Sequence, residues 1–318
     1  MDRPGGRGTE PDRTGPDLSR PAPDADVGEG RRTRSFGRLI PCPLAPHRKS
    51  PCTRSNQIAR HGGPEVLSVR EIPRPTPGVG EVLIRTVASS LNPVDWKTRA
   101  WEVGPQLPAT LGWDPAGVVT ASHHSRYRPG DQVIAMSAQL ATSRGTWTEQ
   151  VSQPARLLAA APTTLALALA LALALALALA LALEDAAALP LAGITAPQAL
   201  SRAAVTDGDN ALITGAAGAV GGIAVRLARR TGATVDALVA RLEHLDAARE
   251  LGAKDVWHIR ADLPRRTCTA VLDTAGIDTC PALAPGGRYI SISDPPAPTS
   301  DSKQAALAQA RKWSALRS

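Results

Sequence analysis

Short apolar runs separated by turn signals dominate the chain from about residue 57 to residue 156. Val82-Leu83-Ile84, Gly117-Val118-Val119, Val133–Met136 and Trp147–Val151 each have strand length. Gly62-Gly63-Pro64, Pro73–Pro77, Gly78–Gly80 and Pro129-Gly130-Asp131 punctuate them. This spacing predicts a small β-rich barrel or sandwich. From residue 186 to 292 the period changes. Apolar runs at Ala211–Ile213, Thr234–Val239, Asp255–His258, Ala270–Asp273 and Arg288–Ser291 alternate with helical patterns at Ile223–Thr231 and Glu243–Leu251. Gly232 and Gly252 stand where those helices should stop. Alternating strand and helix predicts an α/β unit with a parallel sheet.

Three segments break this texture. Residues 1–56 are rich in Pro, Gly, Arg and Asp with hardly a periodic apolar position. They are predicted to be a disordered N-terminal tail, since so little apolar surface does not offset the entropy of ordering. Residues 165–183 alternate Leu and Ala strictly, and the low-complexity stretch is bounded at 161–185. As a helix the run would be about 28 Å long and would place Leu on every side. That length raises the question of a membrane span, but no Lys/Arg cluster flanks the run and Glu184-Asp185 follows it at once. A tolerated coding-repeat expansion between domains is the preferred reading. Residues 294–318 form an irregular tail with a short helix candidate at Lys303–Leu316. The expected order is thus tail 1–56, β-rich domain 57–160, Leu-Ala segment 161–185, α/β domain 186–293 and tail 294–318.

Composition changes the picture little. The chain has 318 residues, enough for two domains, and a formal net charge of +7. Residues 1–60 carry 12 Lys/Arg against 7 Asp/Glu, so most of the positive excess is local. No nucleic-acid partner is therefore expected. Cys42, Cys52, Cys268 and Cys280 include no CxxC pair, so neither a disulfide framework nor a structural zinc site is readable, and a reducing, cytoplasmic setting is the default.

The strongest chemical signal is Gly215-Ala216-Ala217-Gly218-Ala219-Val220-Gly221, which directly follows one apolar run and opens a helix. Glycines allow a tight turn and close approach to a pyrophosphate, and the free N–H groups of a helix start favour negative charge. These seven residues are the candidate dinucleotide-binding set. Asp236 lies inside the following strand candidate, whereas its end reads Val239-Ala240-Arg241. A guanidinium suits a ribose 2′-phosphate, which favours NADP(H) over NAD(H); Arg241 also fits a solvated residue at a helix start.

Gly62–Leu67, Pro73–Leu83, Asn92-Pro-Val-Asp-Trp-Lys97, Leu111-Gly-Trp-Asp-Pro-Ala-Gly117, Pro129–Val133 and Gly145–Glu149 occur in an order that continues through Ala186–Leu200, Ala211–Val225, Arg249–Ala253, Leu272–Gly276 and Pro285–Arg288. Together they resemble the zinc-independent quinone oxidoreductases of the medium-chain dehydrogenase/reductase superfamily. The resemblance implies a GroES-like catalytic domain followed by a Rossmann-type, doubly wound parallel sheet. It implies NADPH-dependent hydride transfer to quinones or activated C=C and C=O bonds, with a small-molecule substrate in a cleft. Zinc members place Cys where this chain has Asn92, and His-Glu where it has Trp113-Asp114, so no metal is expected. His123-His124 read as a solvated loop. Asn92 is expected to face the nicotinamide or substrate, or to serve as the turn residue before Pro93. Thr195 matches a position near the nicotinamide, or caps a helix. Asp95, Trp96 and Lys97 line the cleft or begin a helix. The family pattern runs on past Pro285-Gly-Gly, so the α/β domain is expected to be incomplete at its C-terminal side. A truncated cofactor-binding remnant without turnover is the alternative to an active enzyme. The sequence leaves a monomer and a homodimer both open.

Overall fold

The computed structural model describes residues 51–100, 105–162, 183–258 and 260–293. Nearly all of the Leu-Ala run, the first fifty residues and the 294–318 segment lie outside these, and with them the expectations made there.

The first half is antiparallel. Strands β1 (Cys52–Ile58), β2 (Leu67–Pro73) and β4 (Ala109–Thr110) form one sheet in the order β2-β1-β4. A second sheet, β7-β3-β5-β6-β8, contains β3 (Glu81–Ser89), β5 (Pro115–Ser122), β6 (Gln132–Ala135), β7 (Gln150–Pro154) and β8 (Leu158–Ala160). Helix α1 (Pro93–Ala100) follows β3, and the short α2 (Gln139–Thr142) follows β6. Isolated bridges Ser55↔Thr148 and Thr110↔Arg144 join the sheets. Alternate positions along β3 point one way: Val82 and Ile84 bury against Val119, Val133 and Val151. Period-2 patterning thus gives this sheet a dry face. β1 begins at Cys52, inside the stretch assigned to the tail, because residues 52–58 pair with β2 along their whole length.

The second half is a five-stranded, wholly parallel sheet in the order β11-β10-β9-β12-β13. The strands are β9 (Asn210–Thr214), β10 (Thr234–Leu238), β11 (Val256–Trp257), β12 (Cys268–Asp273) and β13 (Leu283–Ser291). Helices α3 (Pro190–Arg202), α4 (Ala219–Arg230) and α5 (Leu245–Glu250) pack on one face. Ala196 and Ala199 of α3, with Ala203 just past its end, share that core with Ala224 and Ala228 of α4, all 0% exposed. Small side chains there permit close helix packing. Ile213 and Leu272 belong to this layer, while their neighbours Leu212 and Val271 belong to the core of the opposite face. On that opposite face Leu263, Ala282 and Ile277 come from loops and single 3₁₀ turns rather than from long helices, and Trp257 of β11 packs with them. No described helix is long and apolar enough to cross a membrane.

Asp209 ties the starts of β9 and β12 to the middle of β13. It accepts hydrogen bonds from the Thr206 amide (2.8 Å), Thr269 Oγ1 (2.7 Å) and the Arg288 guanidinium. Burial works to raise its pKa, but the bonds from Thr269, Thr206 and Arg288 outweigh burial and hold the carboxyl at about 2. A group held below its unfolded value stabilises the fold above that value, and its contribution disappears as pH falls through the folded pKa. D209N is therefore expected to cost about 1–3 kcal/mol near neutral pH and to flatten the acid limb between about pH 4 and about pH 2. Urea melts across that range check both.

Candidate functional site

Strand order reverses between β9 and β12, with β10 and β11 on one side and β13 on the other. A reversal of this kind opens a crevice at the carboxyl ends of the strands. Both loops leaving this point are bound to each other. Thr214, the last residue of β9, donates to Asp273 Oδ1 (2.6 Å) and accepts from the Thr274 amide (3.0 Å). Asp273 Oδ1 also takes the amides of Ala275, Gly276 and Ile277 at 3.0–3.2 Å. Asp273 Oδ2 takes Ser291 Oγ at 3.0 Å, and a longer bond from Ser293 Oγ.

The glycine segment lies at this crevice. Gly215 has φ +60°, and a Cβ there would come within 2.5 Å of Thr274 Oγ1. Gly218 is the residue before α4, exposed, and its amide bonds the Gly215 carbonyl at 2.8 Å. A Cβ on Gly221 would sit 2.2 Å from the Gly215 oxygen, so the helix can start this close to the strand only with glycine there. Ala216 is fully buried with its methyl in the helical-face core, while Ala217 and Val220 are half-buried and Ala219 is exposed. No side chain caps the first turn of α4. The segment therefore presents an uncapped helix start beside an exposed glycine, a cradle that suits a pyrophosphate. Arg241 stands just beyond the end of β10, exposed, with its Nη1 3.3 Å from Glu243 Oε1. Exposed pairs of this kind are weak, so the guanidinium can turn to a stronger anion.

Asn92 and Thr195 are brought into one network by a residue that the sequence reading treated only as a departure from a zinc pattern. Asp114, 0% exposed, accepts from Ser90 Oγ (2.6 Å) and Asn92 Nδ2 (2.9 Å) on Oδ2, and from the Leu191 amide (3.1 Å) on Oδ1. Leu191 is in the first turn of α3, so this carboxyl joins the β-rich half to the helix carrying Thr195. Asn92 immediately precedes Pro93 at the start of α1, and its amide nitrogen also donates to Ser90 Oγ (2.8 Å). It is thus a turn residue and a member of the site at once. Thr195 is in the middle of α3, not at a cap, and its hydroxyl donates to Leu191 O at 2.7 Å. Asp95 and Trp96 fall within α1, where Asp95 closes the first turn by accepting from the Asn92 amide at 2.7 Å. Asn92, Asp95 and Arg99 line a cavity of ≈ 440 Å³. Among the described residues no group of three or more His, Cys, Asp or Glu is arranged to hold a metal ion. His124 Nδ1 instead accepts from the Arg126 amide.

Burial pushes the Asp95 carboxyl up to about 7, with Asp114 adding repulsion that the Asn92 amide only partly offsets. Burial likewise raises Asp114, to about 6, against hydrogen bonds from Ser90, Asn92 and Leu191. Both folded pKa values exceed the unfolded ones. The folded state therefore binds more protons between about pH 4 and about pH 7, and stability falls as pH rises through that window. The thermal midpoint is expected to be higher near pH 5 than near pH 8, which calorimetry in matched ionic strength will show.

Residues 78–163 match the family profile of the alcohol dehydrogenase GroES-like domain. A chloroplast envelope quinone oxidoreductase homolog of Arabidopsis thaliana is 33% identical over 207 residues, 61% of this chain and 57% of that protein. A zinc-type alcohol dehydrogenase-like protein of Staphylococcus aureus is 32% identical over 211 residues, 63% of this chain and again 57% of the relative. The matched region thus spans a little over half the length of these curated relatives. Among solved structures, an alcohol dehydrogenase superfamily protein from Novosphingobium aromaticivorans is 31% identical with a TM-score of 0.64, covering 79% of this chain and 74% of that one. The quinone oxidoreductase from Coxiella burnetii superposes with a TM-score of 0.65 at 27% identity, covering 82% and 80%. With its GroES-like half, its parallel nucleotide-type sheet and these relatives, the chain belongs to the medium-chain dehydrogenase/reductase superfamily.

Proposed function

We propose that the chain is an NADPH-dependent, zinc-independent oxidoreductase of quinone-reductase type, reducing quinones or activated C=C and C=O bonds. The observation that carries this reading is the uncapped start of α4 with its exposed Gly218, set at the reversal of strand order. Gly215 to Gly221 would hold the diphosphate through backbone N–H groups, and Arg241 the 2′-phosphate. When bound, the nicotinamide supplies the hydride; the protein's part is placement and exclusion of competing reactions. Asn92, fixed by Ser90 and Asp114, keeps its carbonyl oxygen outside that network and available to orient a donor group. The Thr195 hydroxyl, already donating to Leu191 O, keeps an acceptor lone pair.

The zinc-independent reading is supported by donor chemistry. Asn92 spends its amide nitrogen on Asp114, and the Trp113 indole carries only an N–H, so neither replaces a thiolate or imidazole ligand.

Fluorescence titration of the full chain tests the reading. NADPH is expected to bind more tightly than NADH. R241A should lower NADPH affinity about tenfold with little change for NADH. In G218A the new methyl lies 3.1 Å from the Gly215 oxygen, so the loop must give by a few tenths of an ångström in the proposed diphosphate cradle. That variant should keep its circular dichroism and lose about tenfold or more in NADPH affinity. Unchanged affinity in G218A would overturn the assignment. Binding without turnover on any quinone or enone would leave cofactor binding and remove the reductase activity.

A further inference from the structure

The end of β10 carries a second charged group to which the cofactor reading gives no part. Arg241, in extended backbone just before a single 3₁₀ turn (Leu242–His244), has its Nη1 3.3 Å from Glu243 Oε1. The His244 ring nitrogen Nε2 is 3.8 Å from the same oxygen. Arg241 and Glu243 are 66% and 69% exposed, so neither side chain is locked into the core and both are open to a ligand.

We propose that Glu243 is a specificity-determining residue: it competes with the ribose 2′-phosphate for the Arg241 guanidinium and so holds down the preference for NADPH over NADH. This role rests on the reading of Arg241 as the 2′-phosphate ligand and adds a competitor built into the chain. To turn its planar fork to a 2′-phosphate, Arg241 must leave Glu243. The freed carboxylate then stands near a phosphate of the same sign, which repels it. With NADH neither cost arises. The ribose offers a hydroxyl there, a donor that a carboxylate accepts without releasing Arg241, since its two oxygens carry lone pairs to spare.

The size of the effect fits cofactor choice better than folding. An exposed ion pair shifts an equilibrium by up to about fivefold, which counts for little in the stability of a whole domain. Arg241 is expected to contribute about tenfold to NADPH binding, so a competitor of that strength takes back a substantial part of the discrimination.

Fluorescence titration of the full chain with NADPH and with NADH, at one pH and one ionic strength, compares wild type, E243Q, R241A and R241A/E243Q. E243Q keeps the size of the side chain and removes its charge; the residue is exposed, so the near-ultraviolet spectrum should match wild type. NADPH should bind E243Q about threefold more tightly and NADH about threefold more weakly, changing the ratio of affinities about tenfold. Shifts of opposite sign separate competition from a structural disturbance, which would weaken both cofactors. In the R241A background the NADPH gain should shrink, because no guanidinium is left to release. An unchanged ratio in E243Q, or an NADPH gain of full size in R241A/E243Q, would overturn the role of Glu243 and leave the cofactor reading standing. Absence of NADPH binding by the wild-type chain would remove both.

Discussion

The contact between the Gly221 backbone and the carbonyl oxygen of Gly215 governs the α/β half. A methyl at Gly221 would lie 2.2 Å from that oxygen, so any other residue would push α4 away from β9. Displacement would open the seam between α3 and α4, where Ala196, Ala199, Ala224 and Ala228 are too small to expand and fill a gap. It would also move the first turn of α4 off the strand ends, where its unbonded N–H groups now face the crevice. Packing and candidate chemistry thus rest on one close approach, and the loop across the crevice is fixed to the same point through Thr214 and Asp273.

Asp114 has the equivalent role between the two kinds of sheet. It reaches from the start of β5 to the first turn of α3, and its other oxygen collects Ser90 and Asn92. Carboxylate at a helix start is favourable, and the donors it satisfies are buried at Ser90 and partly buried at Asn92 and Leu191. A single buried side chain therefore sets where α3 begins relative to α1. This is why Asn92 and Thr195, 103 positions apart in the sequence, belong to one connected network.

Much of the parallel sheet was legible because its strands are apolar runs bounded by glycine, and Ala211–Ile213, Thr234–Val239 and Ala270–Asp273 emerge as β9, β10 and β12 within a residue or two. The glycine turn was legible for the same reason: only close approach demands that spacing. Less was readable in the antiparallel half. β1 carries Arg54, Asn56 and Gln57 and reads as polar coil, yet it is held by backbone pairing to β2. The strand expected from Trp147 starts only at Gln150, since the Trp147 amide and indole N–H are spent on Leu111 and Ser90. Thr195 was assigned by position alone, and nothing local announced that its hydroxyl would turn back onto its own helix. The partners of Asp114 were invisible too, because Leu191 contributes a backbone amide, and a backbone group leaves no trace in residue identity.

Asp209, Asp114 and Asp95 are all buried carboxyls, and they differ chiefly in how many donors reach them. Asp209 receives four hydrogen bonds, including one from a guanidinium, and its pKa is drawn down to about 2 despite burial. Asp114 receives three from neutral donors, fewer than burial demands, and remains raised at about 6. Asp95 receives one well-formed bond and rises to about 7. Burial disfavours the charged form in each case, and donor count and donor charge decide how far that penalty is cancelled. Asp209, well supplied at the amino end of β9, has a structural part. The less well supplied Asp114 and Asp95 lie around α1, where burial outweighs the donors that reach them and raises both carboxyls.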